Sequence, residues 1–573
     1  MNVNKSKTIS VAMLSMIASH SLLTGLHGQS SDRSKPNILC ITVEDISCYL
    51  GCYGDPAAKS PFLDSLAKES IRFTNMHTPV GVSAPSRFAL LTGMYPTACG
   101  ANYMRASQKN YEVVLPENIK AYTEYLRSAG YYCTNNSKTD YQTGVTPSQW
   151  DENSSSATWK KCPDGQPFFA VFNINTTHES QIWMRAKQPL LIKPEDIDMA
   201  RFPYLPDDQV IRQDLARMYS NIAVMDQETR SLVNDLKKSG VADNTIIIWF
   251  SDNGGPIPRG KRSLYITGTQ VPFMIRLPDG YRSGETEDKL CSFIDVPATI
   301  LSLAGIKEPE YMHGRAFLGA QTTAPREYIF GARDRFDEVV DRSAYARDKR
   351  FQYIRNYITE TCNYLDNQYA LSMPMVVRMN ELRDAGRLNE KQMLYYRAPR
   401  PVEEFYDLLN DPYELNNLAS EPSFKYDFDR LKEAFNEWNN TINAVWNTKT
   451  EEEWIAEFKP NGIKRVVDNP VVQIMDGKLS LSCSTPGASI VYKNNYIPEK
   501  SEKVKKTGNQ NPAAQNSPAG MPSGGNILIA AGAKSPEYND WILYNGPITI
   551  RKGDKITAMA CRAGYASSEK ITK

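Results

Sequence analysis

The chain has 573 residues, 41% hydrophobic and 23% charged, enough at roughly 150 residues per domain for several domains and a core needing no metal or disulfide staple. Lys and Arg number 66 against 65 Asp and Glu, a net charge of +1, which excludes the basic footprint of a dedicated nucleic-acid binder. Five His, no Cys-x-x-Cys pair and no internal apolar run of about 18 residues argue against a structural zinc centre and against stable membrane insertion.

In chain order, Lys5 and Lys7 precede an apolar stretch from Ile9 to about Leu26, and small and polar residues follow at Gly28-Gln29-Ser30. That is the layout of a secretory signal peptide over residues 1–28, so the mature chain is expected to be exported, periplasmic or secreted. Three β-rich, non-alternating runs come next: Asn37 to Val43, Phe168 to Ile174 and Thr245 to Phe250. Such runs fit strands buried on both faces of a parallel sheet. Helical patterns at Asp64 to Glu69 and Val210 to Ser239 separate them, which predicts an α/β domain over 35–320 with its sheet covered by helices. A smaller α+β unit is expected over 321–460, with strand pieces at Glu327 to Phe330 and Phe351 to Ile354 and a charged helix from Glu421 to about Asn439. Beyond Arg465, short strand candidates at Leu479 to Cys483, Ala488 to Tyr492, Ile548 to Ile550 and Lys555 to Ala560 predict an appended β-sandwich over 465–573. A Pro/Gly/Asn/Ser-rich loop, Thr507 to Gly525, interrupts it. The ten Cys are scattered; most read as buried thiols, with one or two disulfides left open.

Each of the three buried runs is followed by polar residues: Glu44-Asp45, His178-Glu179 and Asp252-Asn253-Gly254-Gly255. Ligands of open α/β sheets bind beyond the carboxyl ends of the strands, so the three clusters can converge on one site. Ser83-Ala84-Pro85-Ser86-Arg87 leads into Phe88 to Gly93, where Pro85 fits a first helical turn and Gly93 a helix end. Ser83 is thereby placed at a helix start, where free amides favour an anion, with Arg87 one turn along on the same face. A nucleophile inside an anion-binding frame is the physical reading. The elbow of lipases is excluded, because Gly81-Val82-Ser83-Ala84-Pro85 lacks the final Gly.

Ser83-x-Pro85-Ser86-Arg87 with Thr92-Gly93 resembles the signature of the type I sulfatases of the alkaline phosphatase-like superfamily. The resemblance covers residues 35 to 440. It extends to Ser251 to Gly255, Gly260 to Tyr265, Asp295 to Ile300, and Phe405 to Leu408 with Asp411-Pro412. It implies that Ser83 is oxidised to Cα-formylglycine by an anaerobic radical-type maturase. It also implies a Ca²⁺ ion held by Glu44, Asp45, Asp252, Asn253 and the modified Ser83, with Glu44 where the family usually has Asp. Lys138 matches the Lys of the family's G-K-x-H element, whose His is replaced here by Asp140. His178 matches the proton donor to the leaving group, and Lys261 the second sulfate-binding Lys. One hydroxyl of the hydrated aldehyde attacks sulfur in that mechanism, and the other expels sulfate.

The implied substrate is a sulfated oligosaccharide, for which Asp140, Arg105 and Arg335 are candidate contacts. The region from Asp252 to Gly268 is similar to heparan N-sulfatase, so sulfamate cleavage is an alternative to ester cleavage. The C-terminal β unit resembles the small sandwich appended to some hexosaminidases. Two further readings stand beside these: a phosphatase or phosphodiesterase of the same superfamily, disfavoured by the scarcity of His, and an inactive glycan-binding scaffold.

Overall fold

A computed structural model describes residues 35–363, 367–495 and 540–573. The expected signal segment and the loop from Thr507 to Gly525 lie outside the described residues. The central sheet has eight strands: β1 (Asn37–Val43), β2 (Ile71–Phe73), β3 (Tyr132–Asn136), β4 (Glu152–Asn153), β5 (Phe168–Ile174), β6 (Thr245–Ser251), β7 (Phe273–Arg276) and β8 (Thr286–Glu287). Their order is β4-β3-β5-β1-β6-β7-β2-β8. Every neighbouring pair is parallel except the two that β7 makes, with β6 and β2.

The three β-rich runs are the three central strands, and every residue of β1 and β6 is buried. One face of the sheet packs Leu39, Ile41, Ile247 and Trp249 against Leu215, Met218, Ile222 and Met225 of the long helix Gln209–Lys238. The other packs Ile38, Cys40, Phe169, Ile248 and Phe250 against Tyr122 and Leu126 of one helix and Val296 and Ile300 of another. A strand with both faces buried has no solvent side to mark with polar residues, which is why its sequence does not alternate.

The helix Ser83–Thr92 starts at Ser83, after extended Val82, and closes on Gly93, whose φ of 71° lies in the left-handed region. All of its side chains except Leu90 are buried. An antiparallel sheet of four strands, Ile329–Arg333, Ser343–Arg347, Phe351–Asn356 and Glu403–Asp407, packs Tyr353 and Phe405 onto Leu431, Phe435 and Trp438 of the helix Lys425–Asn440. That helix begins four residues later than its sequence pattern implies. Pro422 sits in a short 3-10 turn, Pro422–Phe424, and non-helical Phe424 separates turn from helix.

The last segment holds a three-stranded and a four-stranded sheet, both antiparallel. Arg562 donates to the Leu115 carbonyl and Arg127 to the Trp541 carbonyl, tying this segment to the 115–127 region. None of the ten cysteines is disulfide-bonded, so the bridges left open by the sequence are not formed. Among the described residues no helix is long and apolar enough to cross a membrane.

Candidate active site

Glu44 and Asp45 follow the last residue of β1, and Asp252 and Asn253 the last residue of β6. All four are fully buried. The Asp252 amide donates to the Val43 carbonyl, carrying the ladder one residue past the strand, and the Asp45 amide donates to Asp252 Oδ1 at 3.2 Å. Parallel neighbours that end together thus set their next residues side by side. The Ser83 helix is stapled to the same point, because Ser86 Oγ donates to the Asp252 carbonyl. Ser83 Oγ lies 3.2 Å from Asn253 Oδ1, and Asn253 Nδ2 donates to Asp45 Oδ1 at 2.9 Å.

Carboxylate oxygens of Glu44, Asp45 and Asp252 come within 4.8 Å of one another. Three buried carboxylates at that spacing repel, and the cations around them answer this. Arg87 pairs with Glu44 at 2.5 Å and Asp252 at 3.0 Å, and also donates to Asn173 Oδ1. Lys138 reaches the second Glu44 oxygen at 2.5 Å. Lys261 Nζ sits 2.7 Å from Asp45, 3.0 Å from Glu179 and 3.3 Å from His178 Nε2. Burial alone would raise the Glu44 carboxyl, but Lys138 and Arg87 hold it far below the usual carboxylate range. Burial, with the neighbouring carboxylates, raises Asp45 and Asp252. Burial opposes charge on Lys261, yet Asp45 and Glu179 keep it above its ordinary value and therefore an ammonium. His178 is pushed down to about 3 by burial, Lys261 and Lys138, and stands as a neutral imidazole.

The donor set fits a hard divalent cation: three carboxylates, the Asn253 amide oxygen and the Ser83 oxygen, with no sulfur ligand. Burial and mutual repulsion raise Asp45 and Asp252, and a cation among the three carboxylates would relieve that repulsion.

Ser83, Arg87, Lys138, His178, Lys261, Glu44, Asp45, Asp252 and Asn253 are all joined in this network. Asp140 stands at its rim, 3.9 Å from Lys138 and held bidentately by Arg105 at 2.9 and 3.1 Å. Arg335 is not brought to the rim as a free donor. It is 5% exposed and spends its guanidinium on Glu451 and on the carbonyls of Arg105 and Asp337, so it braces the loop beneath Arg105.

Asn173 was not singled out from the sequence, and Glu179 was named only as part of the polar cluster after its strand, without its pairing to Arg262. Asn173, the polar break in the run Phe168–Ile174, accepts from Arg87 and donates to Asn135 and Asn136. Glu179 donates its amide to Asp45 at 2.7 Å and clamps Arg262 at 2.7 and 2.8 Å. Their signals were present: a lone amide inside an apolar strand, and charged neighbours of His178 and Lys261.

The chain matches the sulfatase family over residues 36–306, and the N-sulphoglucosamine sulphohydrolase C-terminal family over residues 259–370. It is 35% identical to an ulvan-active sulfatase of Formosa agariphila, across 94% of this chain and 91% of that one. It is 24% identical to human N-sulphoglucosamine sulphohydrolase, across 78% of this chain and 96% of the relative. A solved structure in complex with D-glucosamine-2-N,6-O-disulfate superposes with a TM-score of 0.52 at 16% identity, covering 73% of this chain and 100% of the other, and shares the fold. The chain belongs to the formylglycine-type sulfatase family and is a sulfuric ester hydrolase.

Proposed function

We propose that the chain is an exported, Ca²⁺-dependent enzyme that removes sulfate from a sulfated glycan through a formylglycine made from Ser83. The observation that carries this reading is the convergence of a buried Ser83, three buried carboxylates and three buried or half-buried cations at the ends of β1 and β6.

Glu44, Asp45, Asp252 and Asn253 would hold the ion, which supplies positive charge to a bound sulfate oxygen, while the oxidised Ser83 supplies a hydrated aldehyde as nucleophile. The chain's own part is orientation and charge. Arg87 is fixed by two carboxylates and an amide, so its cation is already in place before substrate arrives, the condition for electrostatic preorganisation. Lys138 and Lys261 flank the carboxylate cluster, paired with Glu44 and Asp45, and their cations can neutralise charge on the sulfate. His178, neutral in the unliganded site because burial and then Lys261 and Lys138 disfavour its charge, would take up the proton for the leaving oxygen once a bound anion offsets the two lysines. Ser83 is 1% exposed, so the maturase would act before the site closes.

The family match over residues 259–370 favours a second reading of the same site, hydrolysis of an N-sulfate. Chromatographic desulfation of defined O-sulfated and N-sulfated saccharides, by protein co-expressed with a maturase, separates the two. O-sulfate release supports the first reading and N-sulfate release alone the second. Release from neither across glycosaminoglycan, mucin and algal panels rejects both.

A further inference from the structure

Beside the catalytic network lies a recess of about 580 Å³, part of it open to solvent, and Glu179, Lys261 and Arg262 line it. Its other charged lining side chains are Arg259 and Arg333, so four cations face one carboxylate among the described residues. Lys261 and Arg262 share Glu179, while Lys261 also pairs with Asp45 at 2.7 Å and Arg262 approaches Asp337 at 3.9 Å, so this pair is matched. Arg333 and Arg400 share Asp341, at 2.7 and 2.5 Å, which leaves that trio one positive charge in excess. Arg259 stacks on the Tyr265 ring at 3.7 Å and donates to main-chain carbonyls of Tyr413 and Glu414, with no ion pair among the described residues. The Nε–H groups of Arg259 and Arg262 are buried without a hydrogen-bond partner, and Arg333 Nε meets Asp341 without hydrogen-bond alignment.

Buried charge is stable only when matched, so an excess of buried guanidinium marks a place for an anion. Burial pulls Arg333 below its usual value in spite of Asp341, and Arg400 adds to the pull. The wall is also built rather than loose: Arg400 contacts Asn363 Oδ1 at 3.3 Å, and Asn363 donates to the Tyr265 hydroxyl at 2.9 Å. Apolar Ile257, Phe336, Met373 and Val376 complete the lining and offer a face for a sugar ring.

We propose that this recess receives a second anionic group of the glycan, a uronate carboxylate or a further sulfate, with Arg333 as its cation. The proposal rests on the sulfatase reading of the adjoining site and deepens it: the substrate carries two negative groups, one cleaved and one gripped. The test is titration calorimetry on the full chain bearing Ser83→Ala, which binds without turnover. Three probes are used: a singly sulfated neutral disaccharide, a singly sulfated disaccharide with a uronate, and a doubly sulfated disaccharide without one. At least one doubly anionic probe binds about tenfold or more tightly than the neutral one, as expected for a charge-assisted contact, and which one does so identifies the group. Arg333→Gln removes that advantage and leaves the affinity for the neutral probe unchanged. Should Arg333→Gln fail to fold, Arg333→Lys, which keeps a cation in the recess without the planar fork, lowers that advantage and leaves the affinity for the neutral probe unchanged. Equal affinity of all three probes overturns the proposal. Sulfate release from the neutral probe by matured enzyme reports on the sulfatase reading separately, since it does not involve the recess.

Discussion

Arg87→Met removes a guanidinium while keeping an unbranched apolar stem in its place. Arg87 is 4% exposed and its carboxylate partners Glu44 and Asp252 are fully buried. Lys138 still neutralises Glu44 in the variant, so Asp252 is the carboxylate left without a cation. Removing one partner of a buried pair costs about 3–5 kcal/mol. A second route gives a similar ceiling. The variant can fold with Asp252 protonated; protonating an ordinary carboxyl at pH 7 costs about 4 kcal/mol, which bounds the penalty from above because burial already raises Asp252 in wild type. The two estimates agree, and the second adds a sign. A carboxyl that is protonated in the folded state contributes stability that is lost as pH rises, so the penalty shrinks toward about 1.5 kcal/mol at pH 5. Urea unfolding of wild type and variant at pH 7 and pH 5, both with chelator, measures the difference. A penalty under about 1 kcal/mol at pH 7, or one that does not fall at pH 5, refutes the reasoning.

Ser83→Ala abolishes sulfate release while changing the denaturant midpoint little, because its hydroxyl makes a single 3.2 Å contact; mass spectrometry of the wild-type peptide from matured protein shows it lighter by two hydrogens. Gly81→Ala places a Cβ 2.5 Å from the Ser263 carbonyl, in the loop that also carries Lys261, so the two catalytic loops are pushed apart and turnover falls about tenfold or more with folding retained by circular dichroism. Glu414 is fully buried against Gln352 and the Ile266 amide, and burial pushes its carboxyl up to about 7. Its contribution is complete below about pH 4.5 and is lost as pH rises through about 7, a change of about 3 kcal/mol. Wild type should therefore lose that much more stability than Glu414→Gln between pH 5 and pH 8.5; parallel pH curves would contradict it.

The central strands were readable because a strand buried on both faces writes an unbroken apolar run, as in Thr245–Ser251. Tyr132–Asn136 was not readable as a strand. Its two asparagines serve the site: Asn135 and Asn136 both accept from Asn173, so the sequence there follows hydrogen bonding and not burial. The residues that follow β1 and β6 could be placed together from sequence, since strand ends converge by topology. Arg335 could not. Its place in the charge-dense segment Gly331 to Glu338 suggested a ligand contact, and only the structure shows Glu451, 116 residues away, taking two of its three guanidinium nitrogens. The Glu179–Arg262 clamp is a long-range pairing of the same sort, invisible until the loops after β5 and β6 are set side by side.

The most direct test of the account is sulfate released from a sulfated oligosaccharide by maturase-treated chain and by its Asp252→Asn variant, each with calcium and with chelator. The calcium-loaded wild type should release sulfate, lose most of that activity on chelation, and outperform the variant at the same calcium concentration. Equal release by wild type and variant, untouched by chelator, would contradict the claim that the carboxylates beyond β1 and β6 are where the reaction occurs.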